Sequence, residues 1–224
     1  MTGLVFYLPL YCQESLFKLL TSRETGISFS NMLSETENLN VMAYEYFYNG
    51  GGVAVGDINN DGLTDIFFTA NMKSNKLYLN LGNMKFRDIT KQAGCEGRNT
   101  GWKTGVTMAD VNGDGLLDIY ICYSGKHPDN IRANQLFINK GNQVFTDQAK
   151  EYGLDDVGYS TQAAFFDYDN DGDLDMFLLN HNVKKFDNME LARFRQETSP
   201  LASNKLFQNE GNRFRDVSTK AGIT

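Results

Sequence analysis

One nine-residue loop recurs three times in this chain, and its recurrence restricts the fold more than any other feature. The copies begin at Asp57, Asp110 and Asp167, 53 and 57 residues apart, and follow the pattern D-x-(D/N)-x-D-G-x-x-D. Short apolar runs flank them, such as Val53-Ala54-Val55 before the first loop and Ile66-Phe67-Phe68 after it. Runs of this kind are too short for helices and rich in β-formers, so each loop is expected to join two strands.

The loops carry the donors of a hard-cation site. Oxygen side chains stand at the first position (Asp57, Asp110, Asp167), the third (Asn59, Asn112, Asp169), the fifth (Asp61, Asp114, Asp171) and the ninth (Asp65, Asp118, Asp175). Together with the seventh-position carbonyls of Leu63, Leu116 and Asp173, they can surround one Ca²⁺ per loop. Glycine at the sixth position permits the positive-φ turn that brings the seventh residue back toward the ion. The pattern departs from an EF-hand, which needs a bidentate Glu at position 12 and flanking helices. Phe68, Ile121 and Leu178 stand there instead. A blander reading is that Asp and Asn only cap hairpin turns. An acid at the ninth position in all three copies favours the cation, and about three Ca²⁺ sites are expected.

The charge balance points the same way. The chain of 224 residues has a net charge of -7, yet eleven of its 28 acids lie in the three loops. Without those eleven, the 21 Lys and Arg residues would outnumber the remaining acids by four. Carboxylates crowded this closely repel each other unless a cation offsets them. Lys and Arg are scattered, which argues against a nucleic-acid surface. A hydrophobic content of 41% with 12% aromatics suits a folded core, in one domain or part of a larger one.

Cys12, Cys95 and Cys122 give no disulfide framework. Cys122 lies in the apolar run Ile119-Tyr120-Ile121-Cys122-Tyr123 and reads as a buried thiol; nothing argues for pairing Cys12 with Cys95. The stretch from Gly3 to Cys12 is apolar enough for the core of an export signal but lacks the preceding basic residues. It reads either as a signal remnant or as a buried strand. No apolar run has the length of a membrane-spanning helix.

The repeat is larger than the loop. A strand is expected before each loop (Gly52 to Gly56, Thr104 to Ala109, Gln162 to Phe166) and another after it (Asp65 to Ala70, Asp118 to Ser124, Asp175 to Asn180). A third follows at Lys76 to Asn80, Gln135 to Asn139 and Lys205 to Asn209. Each then enters an Asn-x-Gly-Asn turn and a last strand carrying Phe-x-Asp: Phe86 and Asp88, Phe145 and Asp147, Phe214 and Asp216. Four antiparallel strands at this period describe an all-β chain of β-propeller blades, although period alone also allows a solenoid or sandwich. The expected division is an N-terminal segment, 1–49, followed by three units over 50–224. Within the first segment, Gly26 to Asn31 weakly resembles the Phe-x-Asp strand and is a candidate outer strand. The third unit carries a longer connection from His181 to Ser203, in which Lys184 to Glu197 is expected as a short surface helix.

These loops and strands resemble the FG-GAP and VCBS repeats of calcium-binding β-propellers, over about residues 50–224. The run Gly50 to Asp57, with the Asn75 to Asn80 and Phe-x-Asp strands, looks most like bacterial relatives of cartilage acidic protein. The Gly-Ala-Pro element is replaced by Thr69-Ala70-Asn71, Tyr123-Ser124-Gly125 and Leu179-Asn180-His181. The resemblance implies a propeller of more blades than three, with the remaining blades in a longer chain or a partner. It also implies an exported or cell-surface module that binds a protein or glycan and catalyses nothing. Sites of extracellular-module affinity suit the millimolar calcium found outside cells.

The alternative is the propeller segment of a secreted polysaccharide lyase or hydrolase. The residues give it little support: the two histidines, His127 and His181, have no nucleophile motif beside them, and the paired acids already serve as metal ligands. Trp102 and the cluster Tyr44, Tyr46, Phe47 and Tyr48 are read as packing rather than as a sugar platform. The cluster is expected against the first blade.

Overall fold

Each acidic loop turns the chain back between two antiparallel strands. The computed structural model describes residues 16–183 and 199–223. The apolar stretch ending at Cys12 and the helix expected over 184–197 lie outside the described residues. Across the first loop, β1 (Val53–Gly56) pairs with β2 (Asp65–Phe68), and Gly56 lies opposite Asp65. β3 (Lys76–Asn80) and β4 (Phe86–Asp88) complete a sheet of order β1-β2-β3-β4. The second sheet repeats this with β5 (Trp102–Ala109), β6 (Asp118–Ser124), β7 (Gln135–Asn139) and β8 (Phe145–Asp147). The third uses β9 (Ser160–Phe166), β10 (Asp175–Asn180), β11 (Lys205–Asn209) and β12 (Phe214–Asp216). Among the described residues no strand pairing joins one sheet to another, so these are three propeller-like blades and not a closed barrel.

The first strands of blades two and three start two residues before their expected positions. Both are carried past an irregularity in the ladder, between Lys103 and Val106 in one and opposite Leu179 and Asn180 in the other. A bulge lets a strand continue after its alternation has slipped, which a strict period-two pattern cannot register. Among the described residues four short helical turns accompany the strands: α1 (Ser22–Thr25), α2 (Thr90–Ala93), α3 (Asp129–Arg132) and α4 (Ala149–Tyr152).

The core lies between blades rather than inside them. Ile58, Phe67, Leu77 and Leu79 of the first blade meet Val106, Ile119, Ile121 and Phe137 of the second. Tyr120, Cys122, Leu136 and Ile138 then leave the other face of the second blade to meet Ala163, Met176, Leu178 and Phe207 of the third. β6 is therefore buried along its whole length, because successive side chains face opposite neighbours. Each large apolar side chain so buried contributes about 1.5–3 kcal/mol. Cys95 and Cys122 are both buried free thiols, and burial pushes Cys95 up to about 12 and Cys122 higher still.

Two expectations for the N-terminal region are corrected. Gly26 to Asn31 forms no strand; Phe29 instead stacks on Phe68, with ring centroids 4.6 Å apart. The aromatic cluster does pack, but on the second blade: Tyr44 and Phe47 lie 5.4 and 5.3 Å from Trp102, which is buried at the start of β5. Val183, just beyond the third blade's second strand, joins the same cluster.

Candidate metal centres

The three acidic loops are the β1–β2, β5–β6 and β9–β10 connections, so all fifteen expected ligand residues lie at the same end of their blades. The loops share one hydrogen-bond plan. The first-position carboxylate accepts the N–H groups of positions five and six: Asp57 from Asp61 and Gly62, Asp110 from Asp114 and Gly115, Asp167 from Asp171 and Gly172, all at 2.7–3.2 Å. The fifth-position acid accepts the N–H of position seven, at 2.8 Å for Leu63 on Asp61, 2.9 Å for Leu116 on Asp114 and 3.1 Å for Asp173 on Asp171.

The ninth-position acid is the buried anchor. Asp65, Asp118 and Asp175 have no solvent-exposed surface. One oxygen of each accepts the second-position N–H, from Ile58, Val111 and Tyr168 at 3.0, 3.1 and 3.0 Å. The other accepts the N–H of the asparagine ending the third strand, from Asn80, Asn139 and Asn209 at 2.7, 2.8 and 2.8 Å. These asparagines extend the site in a way the loop pattern does not reveal. The Asn139 amide also bonds Leu117 O at 3.2 Å in its own loop and Ile58 O at 2.9 Å in the loop of the blade before. Asn209 repeats the reach, to Leu174 O at 3.2 Å and Val111 O at 3.4 Å. The available signal is the asparagine that ends all three third strands and opens the turn, a recurrence that the nine-residue loop pattern does not include.

A second feature missed from sequence is the fourth loop position. Asn60, Gly113 and Asn170 adopt φ of 57°, 70° and 61°, beside the expected left-handed glycines at position six. Asn and Gly are the residues that tolerate this conformation.

Electrostatics at the loops call for positive charge. Burial pushes the Asp118 carboxyl up to about 6; Asp114 and Asp110 add to the rise, while the Asn139 and Val111 N–H groups oppose it. Asp65 is raised by burial in the same way. Burial, followed by the charge of Asp171, takes Asp173 up to about 6. At Asp57 burial also acts upward, but N–H groups of Gly62, Asp61, Asn59 and Asn60 outweigh it and hold the carboxyl below its ordinary value. Among the described residues no Lys or Arg forms an ion pair with a loop acid. In the third loop, oxygens of Asp167, Asp169 and Asp175 lie within 4.8 Å of one another. In the first, Asn59 Oδ1 is buried without a hydrogen-bond partner. An orphaned acceptor and gathered carboxylates are the donor set a hard cation takes.

The family model for the FG-GAP-like repeat matches residues 57–121 and 122–178, more than half of the chain and all three loops. The chain belongs to the FG-GAP-like repeat family. Cartilage acidic protein 1 of Xenopus tropicalis is similar to it, 34% identical over 136 residues. That match covers 59% of this chain and 20% of the relative, so the chain spans about a fifth of the length of the curated relative it matches.

The opposite end of these FG-GAP-like blades holds the histidines. His127 and Trp102 line one cavity of about 340 Å³, and His181 meets Tyr46 edge-on with centroids 4.3 Å apart. Burial lowers both imidazoles. Among the described residues both ring nitrogens of His181 are buried without a hydrogen-bond partner. No helix among the described residues is long and apolar enough to cross a membrane.

Proposed function

We propose that this FG-GAP-like chain is a calcium-stabilised, non-enzymatic binding module that works outside the cell on a protein or glycan. The observation that carries the calcium reading is the ninth-position acid. Asp65, Asp118 and Asp175 are fully buried, each bonded to two backbone N–H groups and unpaired with any base among the described residues. Burying a carboxylate without opposite charge is costly, and a bound cation supplies that charge. Asp57, Asn59, Asp61 and Asp65 would hold one ion with the Leu63 carbonyl. Asp110, Asn112, Asp114 and Asp118 would hold a second with Leu116, and Asp167, Asp169, Asp171 and Asp175 a third with Asp173. Calcium would then act on folding, by fixing the first reversal of every blade. A relative named for cartilage, a tissue made largely of matrix, supports the extracellular setting.

Titration calorimetry of the chelator-treated protein with CaCl₂, alongside melting curves in calcium and in chelator, tests the reading. Binding near three ions per chain and a clear rise in Tm are expected. An unchanged Tm together with no binding heat at millimolar calcium would refute it.

A further inference from the structure

The fourth position of each acidic loop lies outside the expected ligand set, yet in the first loop it reaches the second. Asn60 is exposed and left-handed, with φ 57°, and its side-chain amide donates to Gly115 O at 3.0 Å. Gly115 is the sixth residue of the second loop, and its own N–H donates to Asp110 at 2.8 Å. The Leu116 N–H, which shares a peptide bond with the Gly115 carbonyl, donates to Asp114 at 2.9 Å. Asn60 therefore holds the peptide directly before Leu116, whose carbonyl is an expected ligand of the second site. The first blade supplies a bond that the second loop cannot make for itself.

The junction between the second and third loops lacks this bond. Gly113 stands at the fourth position with φ 70° and has no side chain to reach Gly172. In other respects the two junctions match. Gly172 donates its N–H to Asp167 at 3.1 Å as Gly115 does to Asp110, and the Asn209 amide reaches Val111 O as that of Asn139 reaches Ile58 O. A Cβ at Gly113 would meet nothing within 4 Å, so the space for a side chain is open there. Asn tolerates the left-handed backbone that this position requires.

We propose that the fourth loop position couples the ion site of one blade to that of the next, with Asn60 a positioning residue for the second site. The coupling rests on the calcium reading of the loops. The Leu116 carbonyl meets an ion in the second loop only when the turn before it is set, and the Asn60 bond sets that turn. An ion in the first loop fixes the backbone on both sides of Asn60, at Asn59 and Asp61, and so holds the donor in place. By linkage, an ion in either loop then raises the affinity of the other by the same factor. A single exposed hydrogen bond limits that factor to about tenfold. The third site stands outside this pair, because Gly113 supplies no donor.

The test follows one glycine amide per loop, Gly62, Gly115 and Gly172, by NMR while CaCl₂ is added to the chelator-treated full chain. Asn60→Gly removes the donor and keeps a residue that accepts the left-handed conformation, as Gly113 does in the second loop. It is expected to raise the calcium midpoint of Gly115 by about fivefold, with Gly62 rising alongside it. The midpoint of Gly172 and the Tm in chelator are expected to stay where they were, which a general loosening of the fold would not allow. Gly113→Asn is expected to lower the midpoint of Gly172 by about fivefold. The proposal is overturned if Gly115 does not move in Asn60→Gly, if Gly115 and Gly172 move equally, or if Gly113→Asn leaves Gly172 unchanged. Those outcomes would leave calcium binding itself intact. No calcium-dependent shift at any of the three glycines would instead sink the calcium reading, and the coupling with it.

Discussion

The side-chain amide of Asn139, in the second blade, donates to the carbonyl of Ile58, in the acidic loop of the first, at 2.9 Å. The same asparagine donates its main-chain N–H to Asp118 in the acidic loop of its own blade. One residue therefore ties two candidate ion sites together, and a change in either loop is felt across the junction between blades.

Replacing Asn139 by Ala should leave the buried Ile58 carbonyl and the part-buried Leu117 carbonyl without their donor. An unsatisfied buried group costs about 1–3 kcal/mol. Asn80 is the internal control, because its amide reaches only Thr64 O and is partly exposed. Urea unfolding should show Asn139→Ala losing clearly more stability than Asn80→Ala. Equal losses would mean that the link between blades carries no energy.

Loop acids should divide into two classes. Asp175→Asn disturbs a buried carboxylate that holds Tyr168 and Asn209, so it should weaken the fold even in chelator, by about 1–3 kcal/mol. Asp171→Asn changes an exposed acid, so it should leave the chelator-treated Tm nearly unchanged and lower the rise produced by calcium. Melting curves of both variants with and without calcium check this. A normal calcium response in Asp171→Asn would count against the third site.

The four-stranded unit was legible because strand alternation and Asn-Gly turns are local signals, and all twelve strands lie where they were expected to within a few residues. The loop ends of β2, β6 and β10 were legible for the same reason, since Asp65, Asp118 and Asp175 both close the loop and open the strand. The reach of Asn139 to Ile58 was not, because 81 positions separate them and only blade packing brings them together. The placement of Tyr44 and Phe47 on Trp102 depends on the same long-range packing. The left-handed fourth position was readable in principle as Asn, Gly, Asn, but the motif treated it as free.

Lys103 should give the protein an unusual alkaline stabilisation. It is fully buried, donates to Arg98 O at 2.9 Å and has no carboxylate partner among the described residues. Burial, with Arg98 adding, lowers its ammonium from 10.5 to about 8. A depressed folded value means that stability is present in full above the unfolded pKa and is lost as pH falls through the folded one. Between pH 7 and 9.5 the wild type should therefore gain roughly 2 kcal/mol relative to Lys103→Met. Urea midpoints of the pair across that range check the sign. A constant difference would show that Lys103 titrates normally.

Blade spacing should be sensitive at Gly52. A Cβ there would stand 2.8 Å from Val106 N and 2.9 Å from Gly105 Cα, both backbone atoms of the adjacent inner strand. Thr69 bridges the same junction, accepting the Gly52 N–H at 2.6 Å and donating to Thr104 O at 2.7 Å. Gly52→Ala can be accommodated only by moving the two blades apart, at a cost of about 1–3 kcal/mol. Once the blades have moved, the Thr69 bridge is already stretched, so adding Thr69→Val should cost less in Gly52→Ala than in the wild type. Urea unfolding of the two single variants and the double variant gives the coupling directly. Strict additivity would mean that the junction yields without separating.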